Sequence, residues 1–399
     1  MTHLQTSEAA TGTGDRSRPR AALPALCVTQ ITSWGIVYYA FPVLNPQITA
    51  STGWSSTSTT AAFSGALLVS AVTGIPVGRI LDRRGPRAVM TTGSALGVAA
   101  VLALACAPNL VAFTVAWLLA GMAMAASFYQ PAFAALTRWW GEDRVRALTV
   151  VTLAGGLAST AFAPLAAALA EHLSWRTTYA VLAAILALVT IPAHALALRG
   201  PWPPAPAPTP QRDTNTGAAT RSRPLLMLAA ALTLNSFAMY AVVIALVPLL
   251  MARGASPTTA AWVLGLGGAG QTLGRTLYAS LAHRTGVITR TVALIALGGA
   301  TTGAFAIVSG PVPLLVGIAI GAGMVRGNLT LLQATAVTDR WGTTHYARLS
   351  GLLAAPATIA SALAPFAGAV LAGPLGGYPG LFAILALVSA VAALLALGS

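Results

Sequence analysis

The chain contains no lysine; all 22 of its basic residues are arginine. That absence removes the lysine of a nucleotide-binding P-loop, so the chain is no Walker-type ATPase. It also removes the amine for a Schiff base, and with it a retinal-type pigment. Acidic residues are scarce, 8 in 399. Each of them (Glu8, Asp15, Asp82, Glu142, Asp143, Glu171, Asp213 and Asp339) falls at an end, in a loop or at the edge of an apolar stretch. Two cysteines, Cys27 and Cys106, make neither a disulfide framework nor a metal set, and the five histidines are scattered. No cofactor is expected. No nucleophile–base pair stands at depth, so an enzyme is not expected either.

What is abundant is apolar. Hydrophobic residues make up 56% of the chain, charged residues only 8%, and the mean hydropathy is +0.76. That is the composition of a polytopic helical membrane protein. Twelve spans are expected. The first six lie near 22–45, 58–81, 88–107, 109–136, 147–171 and 175–198. The second six lie near 225–250, 259–282, 291–309, 312–336, 350–372 and 379–397. Each has about 20 residues or more, enough to cross ~30 Å of hydrocarbon at ~1.5 Å per residue. The first span is too long for a cleaved signal and is read as a retained helix.

The resulting organisation is a tail (1–21), a six-helix half (22–198), a proline-rich linker (199–224) and a second six-helix half (225–399). The net charge of +14 would suit nucleic acid, but its placement excludes that partner. With the N-terminus inside, 18 of the 22 arginines fall in cytoplasmic segments and only Arg176 and Arg253 outside. The positive-inside rule therefore puts both ends in the cytoplasm, and the protein in the cytoplasmic membrane.

The halves repeat at a spacing of 201 residues. Arg83 maps to Arg284, Gly85 to Gly286, Trp140-Gly141 to Trp341-Gly342, Pro164 to Pro365, Tyr39 to Tyr240 and Gly97 to Gly298. One offset shared by separate elements predicts two pseudo-symmetric halves of the same orientation, related by an axis along the membrane normal.

Two arginines, Arg275 and Arg326, stand inside apolar spans. A charge at the bilayer centre costs roughly 2.5–3.5 kcal/mol on insertion scales and marks a functional site by default. Arg326 is 14 residues from both Val312 and Arg340, about 21 Å each way, and cannot snorkel easily. Arg275 is eight residues, roughly 12 Å, from the nearer end. The competing expectations are partial snorkelling for Arg275 and a packing role, bonded to backbone carbonyls, for Arg326. The functional expectation is that a guanidinium fork receives a carboxylate or similar oxyanion, because no buried acid balances either charge.

Between the second and third spans, Gly78-Arg79-Ile80-Leu81-Asp82-Arg83-Arg84-Gly85-Pro86-Arg87 fits G-x-x-x-D-R-x-G-x-R in full. With the span count, linker and repeat, it resembles the signature loop of the major facilitator superfamily. The resemblance implies an all-α membrane protein of twelve transmembrane helices in two six-helix halves. It also implies a conformational latch made by Gly78, Asp82, Arg83, Gly85 and Arg87. The second-half copy, His283-Arg284-Thr285-Gly286, lacks the aspartate, so a weaker or absent second latch is expected.

Gly274-Arg275 in span 8, with Trp175-Arg176-Thr177-Thr178-Tyr179, resembles the monocarboxylate and oxalate–formate branch. There an arginine in helix 8 holds the substrate carboxylate. The second cation of the oxalate exchangers, a lysine in helix 11, has no counterpart here. Helices 1, 4, 7 and 10 line the cavity in that family, which nominates Tyr39, Tyr129, Gln130, Tyr240 and Asn328 beside Arg275 and Arg326.

The function expected is secondary active transport of a small organic anion by alternating access. The partners are that anion, protons and the lipid bilayer, and the protein is expected to be a monomer. The alternative is a proton-driven exporter of drugs or secondary metabolites, which the lack of an intramembrane carboxylate disfavours.

Overall fold

The computed structural model describes residues 19–202, 222–342 and 346–399, and the described residues form helices with no strand. In the first half these are α1 (Ala22–Trp34), a five-residue π turn (Gly35–Tyr39), α2 (Ala40–Thr52), α3 (Ser56–Cys106), α4 (Leu110–Ser127), α5 (Tyr129–Trp140), α6 (Arg144–Gly156), α7 (Ala158–His172) and α8 (Trp175–Ala197). In the second half they are α9 (Arg223–Ala252), α10 (Pro257–Arg284), α11 (Val287–Ile307), α12 (Val312–Thr335), α13 (Thr338–Trp341), α14 (Tyr346–Ala372) and α15 (Tyr378–Ala396).

Local chemistry sets the ends. Ser55, Asn109, Ser174 and Ser256 each precede a helix and accept a bond from the backbone amide three residues on. That satisfies amides which have no partner inside the helix. Gly53, at φ +74°, closes α2 in the left-handed conformation that a side chain resists.

Among the described residues, eight helical runs are long and apolar enough to cross a membrane. They cover ten of the twelve expected spans, because Ser56–Cys106 and Leu110–His172 each hold two. The first expected span is interrupted by the π turn, and the eighth, α10, is diluted by glycine and Arg275. Val72, Val111, Leu188, Ile307 and Leu394 are exposed on the outside, the inverse of a soluble surface and the pattern expected against lipid tails.

The repeat is visible in backbone geometry. Gly141 and Gly342 both take positive φ, +51° and +69°, at corresponding helix ends. Gly97 packs on Ala123, and Gly298 on Val325, across equivalent helix pairs.

The two turns differ. α3 breaks at Gly85, at φ +76°, and a Cβ there would stand 3.1 Å from the Trp202 ring. Asp82 pairs with Arg138 at the end of α5. Trp202 covers this pair, its Nε1 donating to the Asp82 carbonyl at 3.1 Å and its ring lying 4.4 Å beneath the Arg138 guanidinium. Trp139 Nε1 holds the Pro201 carbonyl at 2.9 Å. The linker therefore begins docked on the turn; residues 203–221 lie outside the described residues. Arg87 is turned to the α8 carbonyl of Ala195, 2.9 Å away.

In the second half the lost aspartate is replaced from elsewhere. Asp339, which occupies the repeat position of Arg138, pairs with Arg290 at 2.6 Å. Acid and base have changed elements, so the second turn also carries an ion pair although its motif copy has lost the aspartate. This pair is also the more buried: Arg290 is 4% exposed and Asp339 27%, against 14% and 58% for Arg138 and Asp82.

Candidate functional site

Small residues bring the two membrane arginines together. A Cβ on Gly270 or Gly274 of α10 would fall on the carbonyls of Ile320 and Met324 in α12, and one on Gly323 or Gly327 would fall on those of Gly267 and Gln271. The two backbones touch without intervening side chains, the small-xxx-small contact of membrane helices. Gly317 and Gly321, at the same four-residue spacing on α12, face open space instead. The G-x-G-x-x-G run 265–270 is spent on packing: Gly265 and Gly268 meet α7, and Gly267 and Gly270 meet α12.

Gly327 lies where its Cβ would be 3.2 Å from the Arg275 amide, so the backbones carrying the two arginines are in contact at this crossing. Gly327→Leu is expected to force α10 and α12 apart and to lower stability by about 1–3 kcal/mol, the usual range for overpacking. Thermal unfolding in detergent would register it.

At this crossing is a cavity of about 130 Å³, lined by Arg275, Arg326, Tyr39, Tyr129 and Tyr240 together with Trp34, Tyr38 and Gln271. Arg275 is 6% exposed, donates from Nη1 to the Thr152 carbonyl of α6, and has no partner at Nε. It neither snorkels nor pairs with an acid. Gly155 and Gly156 make its niche, since a Cβ on the first would fall on the Tyr129 hydroxyl and one on the second would lie 3.1 Å from Arg275 Nη1.

Arg326 has no hydrogen-bond partner at Nε or Nη2, both buried. The packing role, bonded to carbonyls, does not describe it. Among the described residues the two direct ion pairs are Arg138–Asp82 and Arg290–Asp339, and neither involves the cavity. A buried charge without a counter-ion is costly unless something else supplies one.

Five of the seven residues nominated for binding line the cavity. Gln130 is exposed and approaches Gly74; it follows Tyr129, and one residue rotates a helix by about 100°. Asn328 is buried and donates to the Met324 carbonyl at 2.9 Å. It lies two residues beyond Arg326, about 200° around the helix. The residues that do share a face are four apart: Gln271 with Arg275, and Thr330 with Arg326. That spacing would have found both. Two other polar residues of the spans make interhelix contacts: Gln30 donates to the Ser127 carbonyl and Gln333 to the Ser236 hydroxyl.

The cavity lies on a seam between the halves. Thr160 bonds the Gly265 carbonyl at 2.7 Å and Thr272 the Leu153 carbonyl at 3.1 Å, joining α6 and α7 to α10. The Phe366 amide bonds the Ser64 hydroxyl at 3.1 Å, joining α14 to α3. Tyr240 also borders a second void of about 330 Å³, lined by Ser236, Gln333, Ser350 and Thr358.

Two repeated helical halves, meeting at a cation-lined central cavity and coated with apolar side chains, define an integral multi-pass membrane protein of the transporter type. Residues 26–325 and 228–398 match the family model of the Major Facilitator Superfamily. The chain belongs to that superfamily. It is 26% identical to Monocarboxylate transporter 13 of Rattus norvegicus over 319 residues, 76% of this chain and 69% of that protein.

Its fold is similar to the crystal structure of the nucleoside transporter NupG, with a TM-score of 0.74 at 14% identity, covering 94% of this chain and 98% of that one. It is also similar to a bacterial homolog of the human lysosomal transporter Spinster in an inward-facing, unoccupied conformation. There the TM-score is 0.72 at 14% identity, covering 98% and 95%.

Proposed function

We propose that the chain is a secondary transporter that carries a small organic anion across the cytoplasmic membrane by alternating access, with both ends in the cytoplasm. The observation that carries this reading is Arg326, whose Nε and Nη2 are buried and unpartnered in the central cavity. A carboxylate is the ligand whose charge and two oxygens would satisfy that edge. The likeness to a protein named for monocarboxylates supports the same cargo, and the arginine distribution supports the orientation.

The mechanism follows from charge. An empty carrier that closes around Arg275 and Arg326 must bury two uncompensated cations; one loaded with a monocarboxylate buries a single net positive charge instead of two. Movement of the binding site is therefore coupled to occupancy, which favours exchange of anions or symport of an anion with a proton. The Arg275–Thr152 and Thr272–Leu153 contacts join the halves at the level of the site. Rearranging them is part of any rocking motion.

Proteoliposomes holding the purified protein are expected to take up a labelled monocarboxylate saturably, and faster when an unlabelled carboxylate is loaded inside. Export of a cationic drug with no carboxylate uptake above empty liposomes would overturn the reading.

A further inference from the structure

We infer that the cargo is a single-ring aromatic monocarboxylate, its carboxylate held by Arg326. This rests on the anion-transport reading and narrows it. The cavity of about 130 Å³ is no larger than the roughly 150 Å³ that holds benzene in an apolar protein interior, so it admits one ring and no more. Its walls are unusually aromatic for so small a space: Trp34, Tyr38, Tyr39, Tyr129 and Tyr240 all face it.

Those rings are held before any ligand arrives. Trp34 stacks on Phe128 with centroids 4.2 Å apart and planes 25° from parallel. Tyr38 is fixed edge-on by Phe63 at 5.3 Å and by Tyr39 at 5.1 Å. A ring entering between such walls gains offset or edge-to-face contacts, whereas a short aliphatic acid leaves them unmet. The polar end is fixed too. Arg326 Nε and Nη2 are the two donors on one edge of a guanidinium, the edge that grips both oxygens of one carboxylate. Arg275 has already committed Nη1 to the Thr152 carbonyl, so it is the supporting cation. Trp34 Nε1 and the Tyr38 hydroxyl, both buried and unpartnered, are further donors for carboxylate or ring-bound oxygen.

The test is calorimetric titration of the purified full-length protein with benzoate, acetate, lactate and uncharged benzyl alcohol. Benzoate is expected to bind at least tenfold tighter than acetate or lactate, and benzyl alcohol at least a hundredfold more weakly than benzoate. Trp34→Leu is expected to narrow the benzoate–acetate gap at least fivefold. Trp34→Phe, which keeps the stack on Phe128, is expected to retain most of it and so separates lost recognition from lost folding. Acetate or lactate binding as tightly as benzoate, with dependence on Arg326, overturns the aromatic assignment and leaves the anion reading standing. Benzyl alcohol matching benzoate, or no saturable binding of any carboxylate, overturns both.

Discussion

Arg326→Gln is expected to weaken anion binding at least a hundredfold and, in the same protein without ligand, to raise the melting temperature. The two effects have one cause. In the empty protein the guanidinium is desolvated at Nε and Nη2 and donates no hydrogen bond from either in return. Removing its charge relieves that cost, as often happens when a strained functional group is replaced. With substrate bound, the same group would make a charge-assisted pair, and truncating one partner of a buried pair costs about 2–5 kcal/mol. Arg326→Lys keeps the charge but loses the planar fork, so it is expected to recover less than a tenth of the lost affinity. Ligand titration and unfolding of the empty protein, read side by side, check both halves. A destabilised Arg326→Gln protein would mark the residue as structural.

The second large effect concerns the paired turns. Asp339→Asn is expected to destabilise the protein by about 2–5 kcal/mol, because it strands an almost fully buried cation. Arg290 would keep the Ala282 and Thr285 carbonyls, at 3.3 and 3.2 Å, and the Tyr278 ring 5.6 Å away, none of which carries a negative charge. Asp82→Asn, in the motif that dominates the sequence, is expected to change unfolding stability by no more than about 1 kcal/mol, since that carboxylate is mostly exposed. Melting curves of the two variants should therefore rank opposite to what motif strength suggests. Reversal of that order would mean the Trp202 cover confers more on the first pair than its exposure implies.

The fold was legible because its signals are coarse and repeated. Apolar runs of spanning length, one arginine-rich face and a constant 201-residue offset each survive errors at single positions. Arg275 and Arg326 were legible for the opposite reason: a charge in an apolar span is rare enough that each one points to a role. Tyr39 and Tyr240 followed from the resemblance, which puts helices 1 and 7 around the cavity, and both line it.

What escaped was rotational and three-dimensional. Gln130 and Asn328 lie on nominated helices but on the wrong faces, and only the angle from a known lining residue could have said so. The Asp339–Arg290 pair was hidden because its members are 49 residues apart and neither sits in the motif copy. Trp202 was lost in a proline-rich stretch whose average character is polar, although its own indole had a partner to reach.

The five-residue turn Gly35–Tyr39 has a consequence for how the cavity wall is made. Consecutive residues of a regular helix diverge by about 100°, yet Tyr38 and Tyr39 both face one small space. The wider π turn, a form often met as a single bulge at working sites, narrows that divergence. Gly35 lets the distorted segment sit hard against Phe162 of α7, where a Cβ would overlap the ring. The two phenols thus owe their shared outlook to a surplus residue in the backbone, and the shape of the compartment is written in helical phase as much as in side-chain identity.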